Sequence, residues 1–331
     1  MKKIIVLLVL FSSLQGTAQT LQPIVEHTLQ GNVEITNFIV KDTLLLWPQG
    51  EEGLKIYTIS NPDSLKLLST FKEYETRSRK DIYGTAYQTL LRNDTVFLCY
   101  GELGLKILDI SEPRVPIELG TYYRHHSVYT LDIYNNYAFL GLKDLGLEIV
   151  DFSSMKNIEM VGRNNLKDFP TQHVVVLPPH TFVSGGKRGI KIFKFRPPFT
   201  DFKWEQYPKD YHPENDANKL VISGKYGYLV NDFKGLTVLN LTLPSYPMQQ
   251  TTIKTDGRSQ DILLNETNLY VASGKSIYLY DISDKANPTL ISQYESNKKR
   301  FQALYLANGQ LWAVYTKGFR SFGIMLFDIL Q

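Results

Sequence analysis

Few side chains in this 331-residue chain are placed to do chemistry. The single cysteine, Cys99, sits inside the apolar run Val96-Phe97-Leu98-Cys99-Tyr100 and reads as a small buried hydrophobe. With no second thiol there is no internal disulfide. His125-His126 is the only histidine pair. Neighbours on an extended strand point apart, so the pair reads as a solvated loop and not as two ligands of one metal. Asp109, Asp151, Asp281 and Asp328 resemble a carboxylate series, but each holds the same place in a separate copy of a repeat, so they are not expected to converge. Phosphate-cradling glycine loops, H-E-x-x-H, C-x-x-C and G-x-S-x-G are all absent. The sequence therefore assigns no catalytic residue, no metal ligand and no cofactor.

The repeat is what positions everything else. GLKILDISEP (104–113) recurs as GLKIYTISNP (53–62), GLEIVDFSS (146–154), GIKIFKFRPP (189–198), GLTVLNLTLP (235–244), SIYLYDISDKANP (276–288) and GIMLFDI (323–329). The residue after the leading Gly or Ser falls at 54, 105, 147, 190, 236, 277 and 324. That is seven copies at the period of propeller blades. Unit two shows the interior of a copy. Short alternating runs lie at 86–91, 96–100, 105–110 and 116–122, separated by Arg92-Asn93-Asp94, Gly101-Glu102 and Ser111–Pro113 turn signals. The expected fold is all-β: a seven-bladed β-propeller of four-stranded blades. Gly104 is expected to allow a close turn, and Asp109 with Ser111 to hold the next one. The last copy stops after its third strand. Residues 22–28 (QPIVEHT) echo 115–121 (VPIELGT), so an N-terminal outer strand is expected to close the ring in the last blade.

In such a ring the first strand of each blade lines the central channel. Aligning the seven on their turn signals gives a register of Thr36, Gln88, Thr130, His173, Lys219, Asp261 and Ala303. The next two registers are mainly apolar, with Asp132 a charged exception. A polar belt above an apolar wall suits a ligand-accepting channel mouth, or polar groups that merely satisfy strand ends. The connections entering that end are 76–81 (TRSRKD), 123–126 (YRHH), 207–216 (YPKDYHPEND) and 297–300 (NKKR). Candidate ligand-binding residues are thus Gln88, Thr130, His173, Lys219, Asp261, Arg124, His126 and Tyr211.

GLKILDISEPRVP, with GLEIVDFSS and YLYDISDKANP, resembles the LVIVD repeat of bacterial secreted and cell-surface proteins. The similarity is specific in units two and six and weakest in unit four, where Phe193-Lys194-Phe195 replaces the Val-Asp-type ending. It implies a β-propeller outside the cytoplasm and transfers no catalytic residue.

Residues 1–18 read as a signal peptide: Lys2 and Lys3, the apolar run 4–11, then Gly16-Thr17-Ala18. The run is too short to span a bilayer. The expected mature chain, 19–331, is one exported propeller domain, periplasmic, outer-surface or secreted. Losing two lysines takes the formal charge from +3 to +1, a poor balance for nucleic acid. No later segment is apolar enough to cross a membrane, and no cysteine adjoins the cleavage site to carry a lipid. Two classes of function fit. One is a non-catalytic binding or scaffolding propeller whose partner is a protein, peptide or glycan of the cell envelope. The other is a lactonase-like or glycan-acting hydrolase, for which the register supplies only Asp261 and His173, with Asp132 deeper in the channel.

Overall fold

The computed structural model describes residues 19–30, 37–61, 64–195, 205–206, 211–213, 216–318 and 321–330. The expected signal segment, 1–18, lies outside these. Seven four-stranded antiparallel sheets form the blades of a β-propeller. Six are continuous in sequence, covering 39–71, 88–122, 130–164, 173–206, 217–253 and 259–295. In each, strand order follows chain order from the channel outward. The seventh takes its inner three strands, Arg300–Ala307, Gln310–Thr316 and Ser321–Leu330, from the end of the chain and its outer strand, Thr20–Gln30, from the beginning.

Each blade buries both faces because blades stack on one another. In blade 2, alternate residues of the third strand divide between two cores. Leu105 and Ile107 pack with Phe97 and Cys99 against Leu131, Ala138, Leu140 and Val150 of blade 3. Leu108 packs with Val96 and Leu98 against Leu46, Leu54 and Ile56 of blade 1. Each such side chain contributes about 1.5–3 kcal/mol by leaving water. Burial also pushes the Cys99 thiol well up from its ordinary value, consistent with an inert core residue. Blade 7 packs on blade 1 in the same way, with Trp312, Val314 and Ile324 against Phe38 and Trp47, and Trp47 edge-on to Phe322 at 5.4 Å.

The repeated motif is made of two backbone devices. Gly104 has φ +80°, and a Cβ there would lie 2.2 Å from the Tyr122 carbonyl oxygen of the outer strand. Gly189 is the same, 2.0 Å from the Tyr211 carbonyl. Only glycine fits a left-handed residue pressed against a neighbouring strand. The second device follows the third strand. Asp109 Oδ1 accepts the Ser111 N–H at 2.8 Å, and Asp151–Ser153, Asn240–Thr242 and Asp281–Ser283 repeat the bond at 2.8, 2.9 and 2.7 Å. These are Asx turns, and the Ser111 amide holds the Asp109 carboxyl below its usual range. Asp328 has no such turn to hold and accepts from Gln310 Nε2 at 2.8 Å instead.

Closure is a full strand pairing. Thr20–Gln30 runs antiparallel to Ser321–Leu330, from Thr20↔Leu330 to Gln30↔Ser321, with a bulge between Pro23 and Val25. Glu26 fastens it: Lys299 Nζ and the Tyr315 hydroxyl each donate to its carboxylate at 2.6 Å. Burial works to raise the Glu26 pKa, but the Lys299 and Tyr315 bonds outweigh it and hold the carboxyl below its ordinary value.

Two departures from regularity stand out. The segment expected as a basic connection at 76–81 is part of an extra hairpin, Tyr74–Arg77 paired with Lys80–Tyr83, inserted between blades 1 and 2. It accounts for the long first spacing of the repeat. Among the described residues, the outer strand of blade 4 is Glu205–Gln206, paired with Lys194 and Phe193. Tyr211 then completes the blade edge through a bridge to Ile190.

Candidate binding face at the channel mouth

A four-stranded antiparallel blade sends its turns to two opposite faces. The turns joining first to second and third to fourth strands lie on one face. The turns joining second to third strands, and the connections between blades, lie on the other.

The first face reuses a few devices. Neighbouring inner turns are linked in a similar way at three junctions: Lys41 Nζ donates to the Asn93 carbonyl at 3.1 Å, Arg92 Nη1 to that of Asn135 at 2.5 Å, and Asn308 Nδ2 to that of Asp42 at 3.2 Å. Its outer turns in blades 2, 3, 5 and 6 are the Asx turns.

The second face is where the candidate residues were expected. Pairing fixes the register: Gln88↔Cys99, Thr130↔Gly141, His173↔Ser184, Lys219↔Val230, Asp261↔Ala272 and Ala303↔Val314. Thr36 lies outside the described residues. In blade 1 it is Asn37 that behaves like a register member, its side chain bonding both Thr89 N–H (3.0 Å) and Thr89 O (2.7 Å) of blade 2. Gln88 does the same to Leu131 of blade 3, both at 3.2 Å. Asp261 accepts the Leu304 N–H of blade 7 at 2.7 Å. Asp132 reaches Val176 N–H of blade 4 at 2.7 Å. These side chains act as staples between inner strands, in place of the inter-strand ladder that separate blades lack.

One side of the mouth is electrically distinct. Lys219 Nζ lies 2.5 Å from Asp261 Oδ1, and His173 of the preceding blade feels the Lys219 charge. Burial first, and Lys219 second, push the His173 imidazole down to about 3, so it is neutral. Its Nδ1 is buried without a hydrogen-bond partner, as is Thr130 Oγ1. The structure thus brings His173, Lys219 and Asp261 together, while Gln88 is committed to holding blade 3.

The remaining candidates separate. Exposed Arg124 lies against Met160 Sδ at 3.5 Å, and the Tyr211 hydroxyl donates to Gln249 at 3.1 Å. The half-buried His126 stands apart from His125, whose Nδ1 meets the Tyr123 hydroxyl at 3.0 Å. Arg77 of the inserted hairpin stacks 4.2 Å over the Tyr123 ring, joining two connections that were expected to neighbour one another. Among the described residues no three His, Cys, Asp or Glu side chains gather as a metal site would require.

Two adjoining depressions on this face lie between blades 5, 6 and 7. In blades 1 to 4 each second-to-third-strand turn is bridged to the next blade: Gly50↔Ala86, Gly101↔Val128, Lys143↔Thr171 and Gly186↔Ala217. In blade 6 only Gly274-Lys275 join these strands, and the bond from Phe301 N–H to the Gly274 carbonyl, 2.9 Å, stands where the bridge stands elsewhere. The shorter turn leaves room. One hollow of about 620 Å³ is lined by Phe233, Asp256, Arg258, Gln260, Glu295 and Gln302 with Lys275, Arg300 and Thr316. A second of about 650 Å³ shares those last three and adds Asn297, Lys298, Lys317 and Gly318. Sequence reasoning found the 297–300 loop but not Lys275, Lys317 or Phe233. The available signal was Ser-Gly-Lys-Ser in unit six, where other units have a longer Gly-bounded turn.

Seven radial blades, a stapled channel and one individualised face define a seven-bladed β-propeller. A family model described as LVIVD repeat matches residues 97–123, 127–165, 215–255 and 256–296, so the chain carries LVIVD repeats in blades 2, 3, 5 and 6. Among solved structures the chain is similar to the computationally designed Ika8 protein, with a TM-score of 0.62 and 9% identity over 93% of this chain and 100% of that one. At that identity the likeness speaks for the fold alone. No curated protein matches the chain significantly.

Proposed function

We propose that this protein is an exported, non-catalytic binding propeller whose recognition surface is the face bearing the inter-blade connections. The observation that carries this reading is the contrast between its two faces. One repeats the Asx turn in blades 2, 3, 5 and 6 and a Lys, Arg or Asn link at the junctions of blades 1 and 2, 2 and 3, and 7 and 1. The other bears an inserted hairpin with Tyr74 and Tyr83 exposed, a shortened turn in blade 6 and two adjoining hollows. Selective recognition needs such individuality. Binding is favoured over hydrolysis because the channel carboxylates Asp132 and Asp261 are engaged with backbone N–H groups of the next blade. The export signal read at 1–18 supports a partner at the cell envelope: a protein, peptide or glycan. Among the described residues no helix is long and apolar enough to cross a membrane.

The test is a glycan array and a pull-down from the native envelope, run with three proteins: wild type, Tyr74→Ala with Lys298→Gln on the proposed face, and Asn93→Ala with Asn136→Ala on the other. The proposed-face variant is expected to lose the partner and the other to keep it. The reverse outcome, with both variants folded, places recognition on the wrong face.

A further inference from the structure

We infer that the two adjoining hollows over blades 6 and 7 form one cleft for an acidic saccharide, a sugar carrying carboxylate, sulfate or phosphate. This rests on the reading of that face as the recognition surface.

The charge layout of the cleft is the first reason. Its outer half is lined by Lys275, Lys298, Arg300 and Lys317 and by no carboxylate. All four are exposed, and none makes an ion pair among the described residues. Their sequence neighbour Lys299 is turned away to clasp Glu26 on the closing strand, 2.6 Å distant. The 297–300 loop therefore spends one cation on the fold and presents two to the cleft. Lys317 adds a third from the far side of blade 7, and Lys275 a fourth from the short turn of blade 6. Four like charges gathered around a hollow of about 650 Å³, none of them in an ion pair among the described residues, favour an anion in it. A guanidinium with ammonium groups suits carboxylate, sulfate or phosphate oxygens.

The inner half is different. Asp256, Glu295, Gln260 and Gln302 offer acceptors and amides, and Phe233 stands at the rim with 70% of its surface exposed. Arg258 is drawn aside by an ion pair with Asp232. Acceptor-rich side chains beside one apolar face suit a ring with several hydroxyls and a hydrophobic side. They oppose a ligand that is anionic along its whole length, because Asp256 and Glu295 would repel it. One end for an anion and one end for hydroxyls describes an acidic sugar better than inorganic phosphate, a nucleic acid or a phosphopeptide.

The experiment is isothermal titration at low salt with four probes: an oligogalacturonate, a sulfated oligosaccharide, a neutral methyl-esterified oligogalacturonate of the same length, and inorganic phosphate. At least one acidic oligosaccharide is expected to bind, at least about tenfold more tightly than the neutral ester or phosphate alone. Lys298→Gln with Lys317→Gln should weaken it by about tenfold or more, the scale of one lost charge-assisted contact. Phe233→Ala should weaken it at unchanged salt dependence. Arg114→Gln with Lys156→Gln removes the same charge from the opposite face and should leave affinity within about twofold. Melting curves check that every variant is folded. Three results overturn the inference: neither acidic sugar binds, phosphate alone binds as tightly as the sugar, or the Arg114/Lys156 pair costs as much as the cleft pair. In each case the recognition face still stands or falls separately, by whether a captured envelope partner is lost with Tyr74→Ala alone, which leaves the cleft intact.

Discussion

Asp261 shows what a polar side chain at the channel mouth is for. It is 3% exposed, accepts N–H groups from Ile262 and from Leu304 of the next blade, and holds Lys219. Asp261→Ala would leave the Leu304 amide unpaired in a buried place, and should destabilise the protein by about 1–3 kcal/mol in urea unfolding. No loss would show that the staple is incidental. His173 gives a pH signature. Its folded pKa of about 3 lies below the unfolded 6.5, so the stability it contributes is present above pH 6.5 and is lost as pH falls toward 3. His173→Asn should flatten the decline of melting temperature with acidification, and an unchanged slope would contradict the assignment. Residue types at this level were legible in part. The polar register Gln88, Thr130, His173, Lys219 and Asp261 came from alignment alone. Its use in joining blades did not, because a staple depends on the backbone of the neighbouring blade, 43 to 52 residues away in sequence.

Elements follow from turn chemistry. In blades 1 to 5 the Gly at the start of the third strand combines positive φ with contact on a carbonyl of the blade edge, so Gly104→Ala should cost more than about 1 kcal/mol. Gly309→Ala is the control: its φ is +74°, but a Cβ there meets nothing within 4 Å. The two should differ, with Gly104 the costlier, and equal losses would mean that the close approach to Tyr122 carries no energy. Strand positions were legible because alternation and turn residues agree in every blade. The hairpin Tyr74–Arg77 with Lys80–Tyr83 was not. Its residues are charged and polar, with Ser78 and Arg79 in the left-handed turn positions that Gly and Asn usually hold. The cleft was hidden for a related reason, since it arises from a turn that is short relative to its counterparts and not from a motif.

The whole molecule depends on one long-range pairing. Blade 7 is complete only when Thr20–Gln30 lies on Ser321–Leu330, and Glu26, Lys299 and Tyr315 hold it there. This closure was legible because the last repeat lacks a fourth strand and 22–28 supplies its sequence. The Lys299 and Tyr315 clasp was not, because nothing in the order of residues brings 26, 299 and 315 together before the ring forms. The folded state holds the Glu26 pKa below its ordinary 4.5, so the stability the clasp contributes is full above that value and is lost as pH falls from it through the lower folded pKa.

The most direct test of the closed ring is urea unfolding of 19–331 beside a chain beginning at residue 31, at pH 7, with and without a synthetic 19–30 peptide. Removing the strand exposes the Ser321–Leu330 edge and its apolar neighbours, so the midpoint should fall sharply, and saturating peptide should raise it again by re-forming the blade in trans. An unchanged midpoint for the shortened chain, or no response to the peptide once the midpoint has fallen, would contradict the closure on which this architecture rests.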